Sequence, residues 1–388
     1  MTSSTTRARF PGVRDGWARL DGPAGTQMVD VAIAAMAEFA ASGHNANAHG
    51  PFEAAHQSDL MLDRARGSVA RLLGAPDADD IWFGANMTTM TLAFTRAVAC
   101  TLGPGDRVVG TRLDHDANVS PWRIACEASG AEHVLASFDP TTGLLDPAAV
   151  IDLIDGHTRW VAVTGASNLL GTVVDLPPII DAAHAVGARV YVDAVHLAPH
   201  RRIDVAALGV DALVTSPYKW YGPHAGAMFL VPEVMNGLPV AKVRPADDHG
   251  PRRWETGTPS FEGLAAVDAA ARYLLDEGLD RIGAEEAEVG TVLLDGLASL
   301  ERVRVWGSPH MADRVPTVSF TVDGVHPDAV ADALAAGKVA VWAGHSYAVE
   351  AVAHLGLADT GGVVRAGVVR YVDELDVRRL LEIVASLT

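Results

Sequence analysis

Two polar side chains at the ends of neighbouring apolar segments are the first candidates for chemistry. Asp193 closes the segment Arg189–Asp193, and Lys219 follows the next apolar segment, Ala212–Thr215. Both segments have the length and the apolar content of buried strands. Because the carboxyl ends of parallel strands meet at one edge of a sheet, we expect the two side chains to face one crevice.

An acid and a lysine that face one crevice suit an enzyme that uses pyridoxal phosphate. Lys219 would form the Schiff base with the cofactor, and Asp193 would keep the pyridine nitrogen protonated, so that the ring accepts electrons. Each residue alone is explained more simply, as a strand-end acid or a surface lysine. Together, at this spacing and in this strand order, they favour the cofactor.

A phosphate site is expected where a strand turns into a helix in "WFGANMTTMTLAF", Trp82–Phe94. The helix opens near Met87 and Thr88, and free N–H groups and hydroxyls at a helix N-terminus bind phosphate. Asn86 or Thr88 also suits a plain N-cap, and both roles are compatible. Ser216 is a second hydroxyl candidate for the phosphate, with a turn residue as the simpler explanation.

Three more side chains belong to segments that approach the same edge. His115 in "RLDHDANVSPW" either lies over the pyridine ring or is a capping or solvated histidine. Asn168 in "GASNLLGT" is a candidate contact of the ring oxygen or of the substrate. Its simpler explanation is a turn residue. Arg365 lies in the apolar segment "VVRAGVVRY" and needs a carboxylate, either from an amino-acid substrate or from an internal salt bridge.

Strand and helix patterns alternate along most of the chain, which predicts an α/β fold with a mostly parallel sheet between helices. After about residue 280 the pattern changes to that of a smaller α+β unit. We expect an N-terminal arm over residues 1–25, a large cofactor-binding domain over 26–280 and a small C-terminal domain over 281–388.

Composition excludes several classes of partner. The 388 residues are 49% hydrophobic and 20% charged, which supports a sizeable core. A net charge of −18 disfavours nucleic acid and anionic membrane. No apolar segment is long enough to span a membrane, and no secretory signal is visible. The two cysteines lack disulfide or metal spacing, so we expect a cytoplasmic protein without a metal.

Beyond these residues, the sequence resembles the class V aminotransferase family of fold-type I pyridoxal phosphate enzymes, nearest to its cysteine desulfurase and selenocysteine lyase branch. The resemblance extends from "RLDGPAGT" to "VVRAGVVRYVDELDVRRL". Between them the matching motifs follow in order: "GANMTT", "DHDANVSPW", "SNLLGT", "VDAVH", "SPYKWYGPHAG", "ETGTPS" and "AGHSYA". The resemblance implies a seven-stranded type of sheet in the large domain.

The resemblance also implies roles around the cofactor ring. Lys219 matches the Schiff-base lysine, and Asp193 matches the partner of the pyridine nitrogen. His196 matches the residue that meets the ring hydroxyl, and His115 matches the ring-stacking histidine. Lys219, His115 and Asp193 are therefore the expected catalytic residues.

Further roles concern the phosphate and the substrate. Thr88 and Ser216 match phosphate ligands, while Asn168 and Arg365 match substrate contacts, with Arg365 on the α-carboxylate. Thr258 in "ETGTPS" matches a residue that reaches the phosphate of the partner subunit. The resemblance therefore implies a homodimer with shared active sites.

The chain departs from the desulfurase pattern where those enzymes carry a sulfur-accepting cysteine. In "WAGHSYAVE", Tyr347 occupies that position, with His345 nearby as a second substrate-side candidate. Cys100 and Cys126 lie in the expected large domain, and a persulfide mechanism needs a thiolate. Trp342 stands where desulfurases often carry a basic residue, so the pocket is more aromatic than a cysteine site needs.

The expected activity is that of a pyridoxal phosphate enzyme acting on an amino acid. β-Elimination, as in a C–S lyase without a persulfide cysteine, fits these departures best. Transamination and epimerisation use the same residues and stay open. A rival of another class is a non-catalytic dimer that kept the fold, since fold alone does not guarantee function.

Overall fold

The computed structural model describes residues 4–388, so residues 1–3 of the expected N-terminal arm lie outside it. The α-helices are α1 (Ser4–Ala8), α2 (Asp30–Ala41), α3 (Glu53–Leu73), α4 (Met87–Ala99), α5 (Ser120–Ser129), α6 (Pro147–Ile151), α7 (Leu176–Ala185), α8 (Val205–Leu208), α9 (Pro232–Gly237), α10 (Phe261–Glu277), α11 (Leu279–Ala298), α12 (Pro327–Ala336), α13 (Val349–His354) and α14 (Glu374–Leu387). The strands are β1 (Ala18–Arg19), β2 (Ile81–Gly84), β3 (Arg107–Thr111), β4 (Glu132–Ala136), β5 (Thr158–Thr164), β6 (Arg189–Asp193), β7 (Ala212–Thr215), β8 (Gly226–Leu230), β9 (Val303–Trp306), β10 (Thr317–Val322), β11 (Val339–Ala340), β12 (Trp342–Gly344) and β13 (Val363–Gly367).

A seven-stranded sheet forms the centre of the fold, in the order β2-β8-β7-β6-β5-β3-β4. The pairs from β4 to β7 are parallel, whereas β8 is antiparallel to both of its neighbours, β7 and β2. The α/β class with a mostly parallel sheet is therefore confirmed. The inner strands are buried on both faces, as expected of a sheet covered by helices.

A second sheet is built from the C-terminal part of the chain. It is antiparallel and four-stranded, in the order β12-β13-β10-β9. The short strand β1 pairs in parallel with β11, so the N-terminal segment joins the C-terminal part of the fold. Helices α10 and α11 follow each other directly, with Gly278 between them at φ +80°. The domain boundary near residue 280 stays a prediction.

The described part of the N-terminal arm packs against the body of the protein. Phe10 is fully buried, with its ring edge-on to three tyrosine rings at centroid distances of 5.2, 6.1 and 5.0 Å. These are the rings of Tyr221, Tyr273 and Tyr371. Such a cluster adds aromatic contact to apolar burial. The arm therefore ties distant parts of the chain together.

Candidate active site

The parallel register brings the predicted residues to one edge of the central sheet. Thr164 pairs with Asp193, and Asp193 pairs with Val214, so the ends of β5, β6 and β7 lie side by side. A cavity of about 670 Å³ opens at this edge. Nine of the predicted site residues line it: Met87, Thr88, His115, Asn168, Asp193, His196, Lys219, Tyr347 and Arg365.

Lys219 is buried at the base of the cavity, in the 3-10 turn Pro217–Lys219. Its Nζ donates hydrogen bonds to the backbone carbonyls of Pro23, at 2.5 Å, and Ala24, at 2.9 Å. Burial lowers the pKa of the amine to about 7, and the nearby Arg365 lowers it too, against the opposing effect of Asp193. An amine with this pKa is largely neutral just above pH 7, which is the state that a nucleophile needs.

The backbone after Lys219 is held in an unusual conformation. Tyr221 has φ +69°, a left-handed value that bulky residues rarely adopt. Its backbone N–H donates to Thr26 Oγ1 at 2.9 Å, and its hydroxyl donates to Glu286 Oε1 at 3.0 Å. The surroundings thus fix the strained turn that points Lys219 into the cavity.

Asp193 is a buried carboxyl group at the end of β6. Its Oδ1 accepts a hydrogen bond from the backbone N–H of Val195 at 2.9 Å. Burial raises the pKa of this carboxyl to about 6, although the hydrogen bond and the charge of Lys219 lower it. A cation placed beside Asp193 would favour its ionised form.

The two predicted histidines are held by nearby groups. His115 Nδ1 accepts from the backbone N–H of Ala117 at 2.9 Å and so caps the turn that follows, and its ring stacks on Tyr347 at 5.5 Å between centroids. A cap through Nδ1 is compatible with the expected stacking on the pyridine ring, which stays a prediction. His196 Nε2 lies 2.9 Å from Thr317 Oγ1. Burial lowers the pKa of His115 to about 4 and that of His196 well below its usual value. Both rings are therefore neutral near pH 7.

The predicted phosphate residues lie on two elements. Helix α4 begins at Met87, and Asn86 caps it by accepting from the N–H of Thr89 at 2.9 Å, as the capping alternative expected. The start of α4 packs closely against Gly226 of β8. A side chain at this position would not fit, because its Cβ would lie 3.0 Å from the backbone nitrogen of Met87. Ser216 is buried with its Oγ unpaired in the described part of the chain.

Thr258 lies apart from the other predicted residues. It is exposed and lines a different cavity, of about 570 Å³, together with Trp254 and Ser260. Within one chain it therefore makes no contribution to the site described above. Its expected reach to a partner subunit stays a prediction.

Arg365 is buried, and its guanidinium contacts backbone. Its Nη1 donates to the backbone carbonyl of Asn168 at 2.7 Å, and its Nε has no partner in the part of the chain that the structure describes. Within residues 4–388 no carboxylate forms an ion pair with it, so the internal salt bridge considered from the sequence is wrong. Asn168 in turn donates to the carbonyl of Ser346 at 2.7 Å and leaves its Oδ1 unpaired. The arrangement can accept a carboxylate ligand.

Three successive carbonyls after β5 are held by side chains of the second sheet and the segment before it. Arg365 binds the carbonyl of Asn168, Ser319 Oγ binds that of Leu169 at 2.6 Å, and Arg314 Nη2 binds that of Leu170 at 2.6 Å. Sequence reasoning missed Arg314 and Ser319, since their partners are backbone atoms of a distant segment. They fix the loop that carries Asn168.

The loop after β12 lies over the cavity in a strained conformation. Ser346 and Tyr347 have φ +50° and +58°. The backbone N–H of Asp116 donates to the Tyr347 carbonyl at 2.7 Å. This hydrogen bond holds the loop against the segment that follows β3 of the central sheet. Tyr347 is 67% exposed, and its backbone N–H donates to His345 Nδ1 at 2.9 Å. His345 is also exposed, but it does not line the cavity.

Comparisons with known proteins define the family. The family model described as aminotransferase class-V matches residues 18–380. The chain is 34% identical to an uncharacterized protein of Mycobacterium tuberculosis, covering 98% of each. It is 30% identical to a cysteine desulfurase of Enterobacter, covering 94% of this chain and 91% of the relative. Two other mycobacterial relatives, both probable cysteine desulfurases, are longer, and the chain spans 51% and 57% of them.

A solved structure agrees with these relatives. The apo cysteine desulfurase of Thermococcus onnurineus matches with a TM-score of 0.93 at 26% identity, covering 100% of this chain and 98% of the other. The chain belongs to the class V aminotransferase family, and within it to the cysteine desulfurase-like proteins. Members of this family are enzymes that use pyridoxal phosphate, which is the cofactor of this protein.

The residues of the cavity fit that cofactor. A cavity of about 670 Å³ is large enough for a cofactor and a small substrate. Unpaired buried atoms of Asn168 and Arg365, within residues 4–388, are available to polar groups that it brings, and the unpaired Oγ of Ser216 lies three residues before Lys219. Across residues 4–388 no cluster of side chains suits a metal ion, and no helix is long and apolar enough to cross a bilayer.

Proposed function

We propose that this protein is a pyridoxal phosphate-dependent C–S lyase that acts on S-substituted cysteines by β-elimination. The substrate loses its α-proton, and the Cβ–S bond breaks to release a thiol. The remaining aminoacrylate takes up water and yields pyruvate and ammonia. The observation that carries the proposal is a desulfurase-like site whose covering loop contains serine and tyrosine instead of cysteine.

The positions of the two cysteines support this proposal. Cys100 follows the end of α4, and Cys126 lies in α5, and neither lines the cavity. Burial raises the pKa of the Cys126 thiol to about 11, which disfavours the thiolate that a persulfide mechanism needs.

We assign the cofactor ring to four residues. Lys219 would attach the cofactor covalently, and its amine would move the α-proton of the substrate. Asp193 would hold the pyridine nitrogen, His196 the ring hydroxyl and His115 a face of the ring. When bound, the cofactor supplies an electron sink for the α-carbon.

We assign four further residues to the phosphate group of the cofactor. Met87, Thr88 and Ser216 would hold the phosphate, in part through N–H groups at the start of α4. Thr258 acts on the phosphate of a partner subunit, which is part of our proposal that the protein is a cytoplasmic homodimer with shared sites.

Substrate contacts come from both sides of the cavity. Arg365 binds the α-carboxylate of the substrate through its free guanidinium edge, and Asn168 lies beside it. Tyr347 lines the cavity and would donate a proton to the departing sulfur; His345, the other candidate, lies outside the cavity lining. With the proposed domain boundary near residue 280, Asn168 belongs to the large domain, whereas Arg365, Tyr347 and His345 belong to the small domain.

The test is an analysis of products. The purified protein with pyridoxal phosphate is incubated with L-cysteine, S-substituted cysteines, cysteine sulfoxides and other amino acids, and the products are identified by mass spectrometry. Pyruvate, ammonia and a thiol are expected from S-substituted cysteines. Alanine with a persulfide would contradict the proposal, as would keto acids that form only with an amino acceptor, or an inverted α-carbon.

The lowered pKa of Lys219 predicts the pH dependence of cofactor uptake. Only the neutral amine attacks an aldehyde, so protonation below a pKa of about 7 slows attachment. We expect the rate of attachment to the apoprotein to rise between about pH 6 and pH 8 and then level off. Stopped-flow absorbance measures this rate. A rate that kept rising towards about pH 10, as for a lysine in water, would contradict the lowered pKa.

A further inference from the structure

Trp342 lies beside the arginine that we assign to the substrate carboxylate. In the antiparallel pair of β12 and β13, Trp342 is directly opposite Arg365. Residues paired in this way project from the same face of the sheet with Cβ atoms about 4.5–5.5 Å apart. Both side chains line the cavity, but Arg365 is 5% exposed whereas Trp342 is 56% exposed. The indole of Trp342 therefore lies nearer to the mouth of the cavity than the guanidinium of Arg365 does.

Other side chains that line the same cavity are also apolar. Leu92 of α4 and Pro121 and Ile124 of α5 line it, and Ile124 is 48% exposed. The acidic side chain of Asp116, which also lines the cavity, accepts hydrogen bonds from Ser120 Oγ at 3.0 and 2.9 Å. Apolar side chains left exposed around a cavity mark a place where an apolar group binds.

We propose that Trp342 selects substrates that carry a large apolar or aromatic group on sulfur. This inference rests on the proposed function. A substrate whose carboxylate binds Arg365 carries its side chain within reach of the neighbouring indole. A large apolar group in the cavity removes the indole and the neighbouring apolar side chains from water, whereas a methyl group leaves them exposed. The substrate class is therefore that of cysteine thioethers with bulky apolar S-substituents.

The experiment compares S-benzyl-L-cysteine with S-methyl-L-cysteine. The wild-type protein is expected to favour the benzyl substrate in kcat/KM by about 10- to 100-fold. Trp342→Ala should lose most of this preference through a higher KM for the benzyl substrate, while kcat for the methyl substrate stays the same. Trp342→Phe should keep most of the preference, because an aromatic face remains. Leu375→Ala truncates another exposed apolar side chain, on α14, and should change neither value.

Binding measurements separate this inference from the proposed function. Calorimetry of the cofactor-loaded protein with L-phenylalanine and L-alanine reports selection without any elimination. Trp342→Ala should weaken phenylalanine binding about tenfold and leave alanine binding unchanged. If no substrate gives pyruvate but this difference persists, the proposed reaction fails and the selection by Trp342 stands. Equal binding by wild type and Trp342→Ala would overturn the inference. So would conversion of a dimer to monomers by Trp342→Ala, which would place the indole in a subunit interface.

Discussion

Replacing Lys219 with alanine is expected to abolish both the visible absorption of the purified protein and all turnover. Lys219 is the lysine that lines the cavity, and its amine is held there by the carbonyls of Pro23 and Ala24. Without it the cofactor has no covalent attachment, and no amine remains to move the α-proton. Absorption spectra and product formation, measured side by side, check both losses.

The control for this variant is another lysine of the same chain. Lys242 forms an ion pair with Asp248 at 2.9 Å, away from the cavity. Lys242→Ala should therefore keep both the absorption and the activity. A Lys219→Ala protein that remained yellow and active would contradict the assignment of the site.

Replacing Asp193 with asparagine is expected to lower kcat by about 10²–10³-fold, with a much smaller effect on KM. A carboxylate stabilises a protonated pyridine nitrogen, and a neutral amide of the same shape does not. The binding of the substrate carboxylate depends on Arg365 and stays intact. Steady-state kinetics with an S-substituted cysteine separates the two parameters.

Asp114 offers a matched control for this variant. It is fully buried, hydrogen-bonded to Thr111 and to Asn118, and burial raises its pKa well above the usual range. Unlike Asp193, it does not line the cavity, so Asp114→Asn removes a buried carboxyl group that has no contact with the cofactor site. Its kcat should change much less than that of Asp193→Asn. Equal losses in both variants would mean that Asp193 acts through packing and not through charge.

The sequence predicted the parts of the site that follow from strand ends. Asp193, Asn168 and Lys219 come after buried apolar segments, and the parallel register brings those ends together whatever the loops do. Strands β6 and β7 have the predicted limits, since apolar residues and flanking turn residues define them. Helix α4 begins at Met87, close to the predicted start, because Asn86 caps it.

Contacts of side chains with backbone atoms of distant segments could not be predicted from the sequence. The amine of Lys219 binds carbonyls of Pro23 and Ala24, and every residue type offers a carbonyl. The same holds for the carbonyl of Leu170, bound by Arg314. The pairing of Trp342 with Arg365 depends on the short strand β12, whose three residues carry too weak a pattern to be predicted.

The most direct test of the central claim is to reduce the purified protein with borohydride and map the modified peptide by mass spectrometry. Borohydride converts a C=N bond between the cofactor and a lysine into a stable amine. The account predicts one cofactor-derived mass addition, on the peptide that contains Lys219. An addition on Lys242 or Lys338, or no addition to a protein purified with excess pyridoxal phosphate, would contradict the account.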